Sequence, residues 1–367
     1  MLVLGRHAAI SPVPSTWGHS IFDAWKRIGW TGVDLFFTLS GFLIGGLLLA
    51  ELANRGTLDV RRFLLRRGLK IWPSYAVFLV VAVTAVGLPP LLDNHYWVSF
   101  ARVSAFWPAF LHVQNYFRIE PRHATLDVTH LWSLSVEEHF YLVLPLLLLV
   151  LSGRRGFRQS PLGTVATVST VVMVGCLALR TYISLWQGGY RVFTLFTPTH
   201  IRMDSLMAGV LLAAFVTYRR QAIERLRPWA TLFLAVGILS FTPYLVVDLH
   251  APLGHTVGYS VLWFGSSMMV LWAWLRSTDP AVAPASRGRA LTFVALLGSY
   301  SYSIYLWHLP FARSLSNQIL HVFDVNAPFT FAIYMVTFAV VSTAMGILSY
   351  RLIEGPVLAW RDRKMPQ

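Results

Sequence analysis

Residues 131–151 form an apolar run that is long enough to cross a lipid bilayer, yet the run contains two adjacent carboxylates, Glu137 and Glu138. A helix that crosses the hydrocarbon core needs about 20 consecutive, mostly apolar residues. A charged side chain at the centre of such a helix costs about 3 kcal/mol on insertion scales. Because two acids are so costly in one span, they mark a reaction site or a transport site inside a membrane protein.

The composition also indicates a membrane protein. Of the 367 residues, 56% are hydrophobic and only 13% are charged. The formal net charge of +14 would suit a nucleic-acid-binding protein as well. Most of the arginines, however, stand in short clusters between apolar runs, which is typical of a membrane protein that fixes its orientation. We therefore expect a lipid bilayer and no nucleic acid as partner. The single cysteine, Cys176, excludes an internal disulfide.

Nine apolar runs are predicted to span the membrane, and an N-terminal stub at 1–11 adds part of a first span, so about ten spans are expected. Backbone polar groups in lipid must be satisfied within their own segment, which predicts an all-α transmembrane helix bundle. We expect the first span to be partly truncated and the chain, 1–367, to be one membrane-embedded domain with no soluble domain. The nine runs are about 33–53, 71–92, 131–151, 161–183, 201–217, 229–247, 257–275, 291–312 and 329–353.

The basic residues predict the orientation of these spans. Lysine and arginine are enriched in cytoplasmic loops. If 98–116 does not cross the membrane, all strongly basic segments fall on one side, which we interpret as cytoplasmic. We therefore interpret 98–116 as a re-entrant or interfacial segment on the outer side. The basic segments are 54–70, 153–160, 218–228, 276–290 and the C-terminal tail.

With this orientation, several polar residues from five helices share the outer half of the membrane, which predicts a common cavity. These residues are His7, Asp34, Glu137, Glu138, Arg202, Asp204 and His308. Simpler alternatives remain open for most of them. His7 would be an interfacial histidine, Asp34 would stabilise a helix N-terminus, and His308 would be a hydrogen-bonded core histidine. Arg202 and Asp204 would form a structural ion pair at a helix start.

The stretch RRFLLRRGLKIWPSY at 61–75 differs from the other basic segments. Its cations have spacings of four, one and three residues, which stack them on one side of a helix. Such a patch suits anionic lipid headgroups. It equally suits a phosphorylated ligand, because guanidinium groups bind phosphates bidentately. The four cations are Arg62, Arg66, Arg67 and Lys70.

Gly41 and Gly45, in SGFLIGG, form a pattern of small residues four positions apart. Small residues at this spacing let two helix backbones approach closely in a membrane. We therefore interpret the two glycines as a helix-packing feature rather than as part of a reaction site.

Seven stretches, in family order and over nearly the whole chain, carry a resemblance to one family. They are GVDLFFTLSGFLI (32–44), RRFLLRRGLKIWPSY (61–75), HVQNYF (112–117), HLWSLSVEEHFYLVLP (130–145), RMDSLMAGVLLA (202–213), LGSYSYSIYLWHLP (297–310) and SYRLIEGPV (349–357). On these motifs the chain resembles the integral-membrane acyltransferase 3 family. Members of that family move acyl groups from acyl-coenzyme A (acyl-CoA) to hydroxyls of sugars or secondary metabolites.

The resemblance implies a role for each matching residue. It implies that His7 is the essential histidine of the family. Because acyl transfer to an alcohol needs a base, we expect His7 to act as that base, with Asp34, Glu137 or Glu138 orienting or charging it. The resemblance implies acyl-CoA, with acetyl-CoA expected, as the donor substrate, and no metal. The donor would be bound by Arg66, Arg67, Lys70 and Tyr75. The acceptor would be bound by Trp132, Arg202, Asp204 and His308.

The chain departs from the family pattern in two places. Relatives usually carry an arginine well before the essential histidine, whereas this chain begins six residues before His7. Either the start lies further upstream, or the protein lacks part of the donor path. Lys70 also stands where relatives usually have arginine, which keeps the charge but loses the bidentate geometry.

The expected function is O-acylation by a multi-pass protein of the bacterial cytoplasmic (inner) membrane, with basic loops and C-terminus in the cytoplasm. An acetyl or other short acyl group would move from acyl-CoA to a hydroxyl. The acceptor would be a carbohydrate, such as a cell-surface polysaccharide, or a glycosylated or macrolide natural product. The alternative class is a non-enzymatic transporter or flippase of a polar or lipid-linked substrate. The oligomeric state stays open.

Overall fold

The computed structural model describes residues 2–10, 17–117, 128–279, 289–324 and 328–365. Within these ranges every regular element is a helix and no strand occurs, which confirms the all-α prediction. The first nine α-helices are α1 (Leu2–Arg6), α2 (Trp17–Ile28), α3 (Gly32–Arg55), α4 (Val60–Leu92), α5 (Tyr96–Ser104), α6 (Trp107–Phe110), α7 (Trp132–Ser152), α8 (Arg155–Gln159) and α9 (Pro161–Gln187).

The second half of the chain is also helical, with short 3-10 turns between several helices. Its helices are α10 (Val192–Leu195), α11 (Met203–Tyr218), α12 (Arg220–Glu224), α13 (Ala230–Leu239), α14 (Pro252–His255), α15 (Val257–Ser277), α16 (Arg289–Ser299), α17 (Ser301–Val322), α18 (Pro328–Ser349) and α19 (Gly355–Lys364). A π-helical turn, Tyr350–Glu354, joins α18 to α19.

Six helical segments of the described chain are long and apolar enough to cross a membrane. This supports a protein with several membrane spans, while the number of about ten stays a prediction. α11 is apolar too, but it has only 16 residues. The six segments are Ser20–Arg55, Val60–Leu92, Thr129–Ser152, Pro161–Gln187, Arg227–Leu245 and Phe329–Lys364.

Two predicted spans differ from the helices observed. The run 291–312 is divided at Tyr300 into α16 and α17, and α17 continues to Val322. At the N-terminus, the described part of the stub forms only the five residues of α1. The helix α2, which follows, was not predicted, because its apolar residues alternate with polar ones in WGHSIFDAWKRI and give no apolar run.

The segment 98–116 contains two short helices, α5 with nine residues and α6 with four. At 1.5 Å per residue, α5 is about 14 Å long, less than half of the roughly 30 Å hydrocarbon core. Neither helix can therefore cross the membrane alone, in line with the interpretation of a non-crossing segment. Its position on the outer side stays a prediction.

The described residues form two compact units. Unit 1 comprises Met1–Gly29, Arg61–Trp132 and Arg287–Gln367, and unit 2 comprises Trp30–Val60 and Ser133–Ser286. The expectation of one domain over 1–367 stays a prediction.

In unit 2, α11 packs against α3, α9 and α15. The approach of α3 to α11 requires glycine, because a methyl group on Gly41 would overlap the carbonyl oxygen of Leu206. A methyl group on Gly209 would likewise overlap the carbonyl oxygen of Thr38. A methyl group on Gly45 would lie 3.1 Å from Cα of Val210. The interpretation of Gly41 and Gly45 as helix-packing residues is confirmed.

In unit 1, α17 packs against α18, and the N-terminal residues join their apolar core. The residues that flank His7 are anchored in this core, since Leu4 and Ala8 are buried. The backbone N–H of Ala9 donates to the hydroxyl of Tyr334 at 2.9 Å. That hydroxyl donates in turn to the carbonyl oxygen of Ala312. The backbone around His7 is therefore fixed to both α17 and α18.

Candidate active site

Unit 1 brings together two predicted site residues from opposite ends of the chain. His7 follows α1 directly, and its Nδ1 lies 2.8 Å from Nε2 of His308 in α17. The two ring planes are nearly parallel, 25° apart, with their centroids 5.0 Å apart. His308 is 1% exposed, whereas His7 is half-buried. Of the two imidazoles, His7 is therefore the one that a substrate can reach more easily.

His308 is held by a second hydrogen bond and by neighbouring rings. Its Nδ1 lies 2.6 Å from the backbone carbonyl oxygen of Tyr305, one turn earlier in α17. The buried ring of His130 stands edge-on to it, with centroids 5.1 Å apart. His130 is held by Nε2, which lies 3.0 Å from the carbonyl oxygen of Leu306. The hydroxyl of Tyr305 donates to the backbone carbonyl oxygen of His130 at 2.9 Å.

Neither His130 nor Tyr305 was singled out from the sequence. His130 stands in the motif HLWSLSVEEHFYLVLP, so a histidine inside a family motif was the available signal. Trp132, predicted to bind the acceptor, is buried at the start of α7. Its predicted role stays a prediction.

The basic face of α4, formed by Arg66, Arg67 and Lys70, is also in unit 1, and α19 contacts it. Nη2 of Arg66 lies 3.0 Å from Oδ1 of Asp362, and Arg66 also donates to the carbonyl oxygen of Met365. Arg361 donates to the carbonyl oxygen of Arg66 at 3.3 Å. This contact between α4 and the C-terminal helix was not predicted from the sequence.

Arg67 and Lys70 stand on the same half-buried face of α4. The guanidinium of Arg67 lies 5.8 Å from the ring centroid of Phe63, within the range of a cation–π contact. Lys70 and Arg361 both act electrostatically on Glu354, whose carboxylate accepts a hydrogen bond from Ser303 at 2.9 Å. The face therefore carries cations from α4 and from α19.

Tyr75, predicted to bind the donor, is buried within unit 1 and ties α4 to the 106–117 segment. Its hydroxyl donates to the carbonyl oxygen of Ala109 at 2.9 Å and accepts from the side-chain amide of Gln114 at 3.2 Å. Its ring stacks on His112. These contacts give Tyr75 a packing role, and donor binding by this residue stays a prediction.

In unit 2, Asp34 forms a fully buried ion pair with Arg202. Nη2 of Arg202 lies 2.9 Å from Oδ1 of Asp34, and both side chains are 0% exposed. The hydroxyl of Ser205 donates to the same carboxylate oxygen at 2.9 Å. Asp34 does stand in the first turn of α3, but stabilising that helix start is not its only role. Its carboxylate also joins α3 to the start of α11.

Asp204 pairs with a residue that the sequence analysis did not single out. Nη1 of Arg180 lies 2.7 Å from Oδ2 of Asp204, again with both side chains 0% exposed. The suggested ion pair between Arg202 and Asp204 is thus wrong, since each has a partner on another helix. The ring of Tyr259 lies beside both arginines. Its centroid is 4.1 Å from Cζ of Arg202 and 5.0 Å from Cζ of Arg180. The sequence does offer a signal for this buried pair, because Arg180 is the one charged residue in the apolar run 161–187.

The paired acids that stand in α7 differ in burial. Glu137 is 3% exposed, and Glu138 is half-buried. Oε1 of Glu137 accepts a hydrogen bond from the hydroxyl of Tyr141 at 2.9 Å. That hydroxyl lies 3.0 Å from Oγ of Ser40 in α3. Glu137 is therefore the inner acid of the pair, and the hydroxyl of Tyr141 links it to Ser40.

The predicted site residues thus fall into two sets. Those in unit 1 are His7, Arg66, Arg67, Lys70, Tyr75, Trp132 and His308; those in unit 2 are Asp34, Glu137, Glu138, Arg202 and Asp204. The single cavity and the support of His7 by a carboxylate stay predictions. Across the described ranges, no three His, Cys, Asp or Glu side chains are grouped to hold a metal ion.

Comparisons with known proteins agree with the resemblance in the motifs. The chain is 27% identical over 346 residues to the peptidoglycan O-acetyltransferase OatA of Listeria monocytogenes, covering 91% of this chain and 52% of the relative. It is 28% identical over 350 residues to the O-acetyltransferase OatA of Staphylococcus aureus, covering 91% and 53%. The chain spans about half the length of the curated relatives it matches.

No solved structure matches the chain. A protein family described as an acyltransferase domain, in contrast, matches residues 1–348, which is nearly the whole chain. The match includes the His7–His308 pair and the basic face of α4. The chain therefore belongs to the acyltransferase 3 family, a family of acyltransferase enzymes.

Proposed function

We propose that this protein is a membrane O-acyltransferase that moves an acetyl or other short acyl group from acyl-CoA to a carbohydrate hydroxyl. The observation that carries the proposal is the His7–His308 pair in a chain of the acyltransferase 3 family. Two relatives that match 91% of the chain are named O-acetyltransferases, one of them for peptidoglycan. These names support an acetyl group as the group that is transferred. They also support a cell-surface glycan as the acceptor.

In the proposed reaction, His7 acts as general base. Acyl transfer to an alcohol needs a base for the hydroxyl proton, and a neutral histidine serves this purpose near physiological pH. His7 would take the proton as the acceptor oxygen attacks the thioester carbonyl carbon. The carbon–sulfur bond then breaks, and the thiolate of coenzyme A takes the proton back from His7. The products are the ester and free coenzyme A, so atoms and charges balance.

We place the phosphates of acyl-CoA at the basic face of α4, with Arg66, Arg67 and Lys70 as ligands. Arg66 and Arg67 have planar groups that suit bidentate phosphate binding, and the guanidinium of Arg67 lies over the ring of Phe63. If the basic segments face the cytoplasm of a bacterial inner membrane, the nucleotide stays at that surface. The pantetheine arm would then carry the thioester inward over about half of the hydrocarbon core, roughly 15 Å.

The acids are proposed to act on the acceptor side. Glu137 is buried and bound by the hydroxyl of Tyr141, which supports a fixed carboxylate rather than a solvated one. Asp34 and Asp204 have buried arginine partners, so we assign them to helix organisation. This assignment leaves Glu137 and Glu138 as the candidates that contact the acceptor.

Transfer of radiolabelled acetyl groups from acetyl-CoA in membranes tests the proposal. The His7→Ala variant should lose transfer while retaining its level in the membrane. The His250→Ala variant, in which an exposed histidine paired with Asp248 is removed, should retain wild-type transfer. Full activity of His7→Ala would overturn the assignment of the base.

The acceptor and the rival class need a second assay. Purified protein would be offered acetyl-CoA with peptidoglycan fragments, polysaccharides and macrolides, and the products would be weighed by mass spectrometry. We expect the mass of a glycan acceptor to increase by that of one acetyl group, added at a hydroxyl. A transporter or flippase would instead move its substrate without acetyl-CoA and leave its mass unchanged, and that result would overturn the enzyme assignment.

A further inference from the structure

We propose that His308 is a positioning residue that selects Nε2 of His7 as the nitrogen that accepts the proton. The inference rests on the proposed function and adds the reason why one of the two His7 nitrogens is the base. It also reassigns His308, which the motif resemblance suggested as an acceptor-binding residue.

The direction of the hydrogen bonds follows from the carbonyl at one end. The carbonyl oxygen of Tyr305 can only accept, so Nδ1 of His308, 2.6 Å away, carries the hydrogen. In a neutral His308, Nε2 then has a lone pair and accepts a hydrogen bond. The group 2.8 Å from it is Nδ1 of His7, which must donate. His7 is therefore the tautomer with hydrogen on Nδ1 and a lone pair on Nε2.

The environment of His308 favours its neutral form. Its side chain is 1% exposed, and burial of a charge without a partner of opposite charge is costly. Within the described residues, its polar and ring contacts are to His7, His130 and Tyr305, and none of these is an acid. A protonated His308 would donate from Nε2 and force the opposite tautomer on His7, which would remove the lone pair from Nε2.

The His7 ring is also held in the orientation in which its Nε2 can accept the proton. The backbone beyond His7 is tied to α18 through the hydroxyl of Tyr334, and the buried side chains of Leu4 and Ala8 flank His7. The ring itself lies nearly parallel to that of His308, with an angle of 25° between planes, as an in-plane hydrogen bond between the two rings requires. A fixed backbone and a hydrogen-bonded ring leave little freedom to exchange the two nitrogens. A histidine and a backbone carbonyl thus play the part that a carboxylate plays in other histidine bases.

Two variants separate the hydrogen bond from the packing. His308→Phe keeps a flat ring beside His7 but removes the acceptor. His308→Gln places an amide oxygen near the position of Nε2 and keeps an acceptor. We expect kcat for acetyl transfer to fall about 10- to 100-fold in His308→Phe, the range found when hydrogen-bonding partners that orient metal-bound histidines are removed. KM for acetyl-CoA should stay within about twofold, and His308→Gln should recover a part of kcat.

The tautomer can be observed directly, without any variant at His308. In protein labelled with ¹⁵N-histidine in lipid bilayers, protonated and unprotonated ring nitrogens have separate chemical shifts. The signals of His7 are identified by their loss in His7→Gln. We expect a protonated Nδ1 and an unprotonated Nε2 in the wild type. In His308→Phe, the two tautomers should become mixed.

The outcomes distinguish this inference from the proposed function. A protonated Nε2 on His7 in the wild type would overturn the inference, whatever the kinetics. Wild-type kcat in a folded His308→Phe variant, with His7→Ala inactive, would also overturn it while leaving the base assignment intact. Full activity of His7→Ala would overturn the proposed function itself. If His308→Phe does not fold, the wild-type spectrum still decides.

Discussion

Nη2 of Arg66 lies 3.0 Å from Oδ1 of Asp362, so the C-terminal helix α19 sits on the same basic face of α4 that we propose as the donor site. Asp362 is 54% exposed, and an exposed pair of this kind contributes only about 0–1 kcal/mol to stability. The carboxylate is therefore more important as a competing anion than as a structural element. A phosphate that binds Arg66 meets a negative charge already present.

Removal of that charge should strengthen donor binding. We expect Asp362→Asn to lower KM for acetyl-CoA about two- to fivefold, with kcat unchanged, because an exposed charge pair is worth about 1 kcal/mol or less. Steady-state kinetics in membranes at low salt measures the change. The matched control is Glu224→Gln, which removes the partner of the exposed Arg220 outside this face. A KM that rises in Asp362→Asn would contradict phosphate binding at Arg66.

The buried pair of Asp34 and Arg202 should matter far more for stability. Replacement of one partner leaves the other charge buried, which typically costs about 3–5 kcal/mol. We therefore expect Arg202→Leu to lower the thermal midpoint strongly. The double variant with Asp34→Leu should recover much of the loss, since replacing both charges is often neutral. Thermal unfolding in detergent measures both, and equal losses in the single and double variants would contradict a coupled pair.

The glycines between α3 and α11 give a packing test. Gly41→Ala and Gly209→Ala place a methyl group against backbone oxygens, of Leu206 and Thr38 respectively, which cannot move aside cheaply. We expect each to destabilise unit 2 by about 1–3 kcal/mol, as overpacking does. Gly175→Ala is the control, because nothing lies within 4 Å of its added methyl group. A similar thermal midpoint for all three variants would refute the close crossing.

Glu137 tests whether a negative charge is needed in α7. Glu137→Gln keeps an oxygen that can accept from Tyr141, so the free energy of unfolding should change by only about 1 kcal/mol. If the carboxylate contacts the acceptor, acetyl transfer should fall at least about tenfold. Tyr141→Phe serves as the control that removes the hydrogen bond and keeps the charge. Wild-type transfer by a folded Glu137→Gln would remove this acid from the proposed site.

The sequence by itself determined the helical class and most of the apolar elements. Long apolar runs predict helices because lipid leaves no other partner for the backbone. The run 33–53 accordingly became α3, Gly32–Arg55, and 161–183 became α9, Pro161–Gln187. The motifs also determined the family and the choice of His7. Apolar runs do not predict the amphipathic helix α2, because its polar residues interrupt any such run. They also do not predict the break at Tyr300, because the mean hydropathy of 291–312 stays high across it.

Only the tertiary structure decided which polar groups are partners. Asp34 and Arg202 are 168 residues apart and His7 and His308 are 301 apart, so no local pattern could pair them. Burial makes each unpaired charge or hydrogen-bonding group costly, so the packed helices must provide partners. Those partners turned Arg202 and Asp204 from one expected pair into two pairs. They also gave His308 a hydrogen-bonded neighbour, His7, while its role as an acceptor ligand stays a prediction.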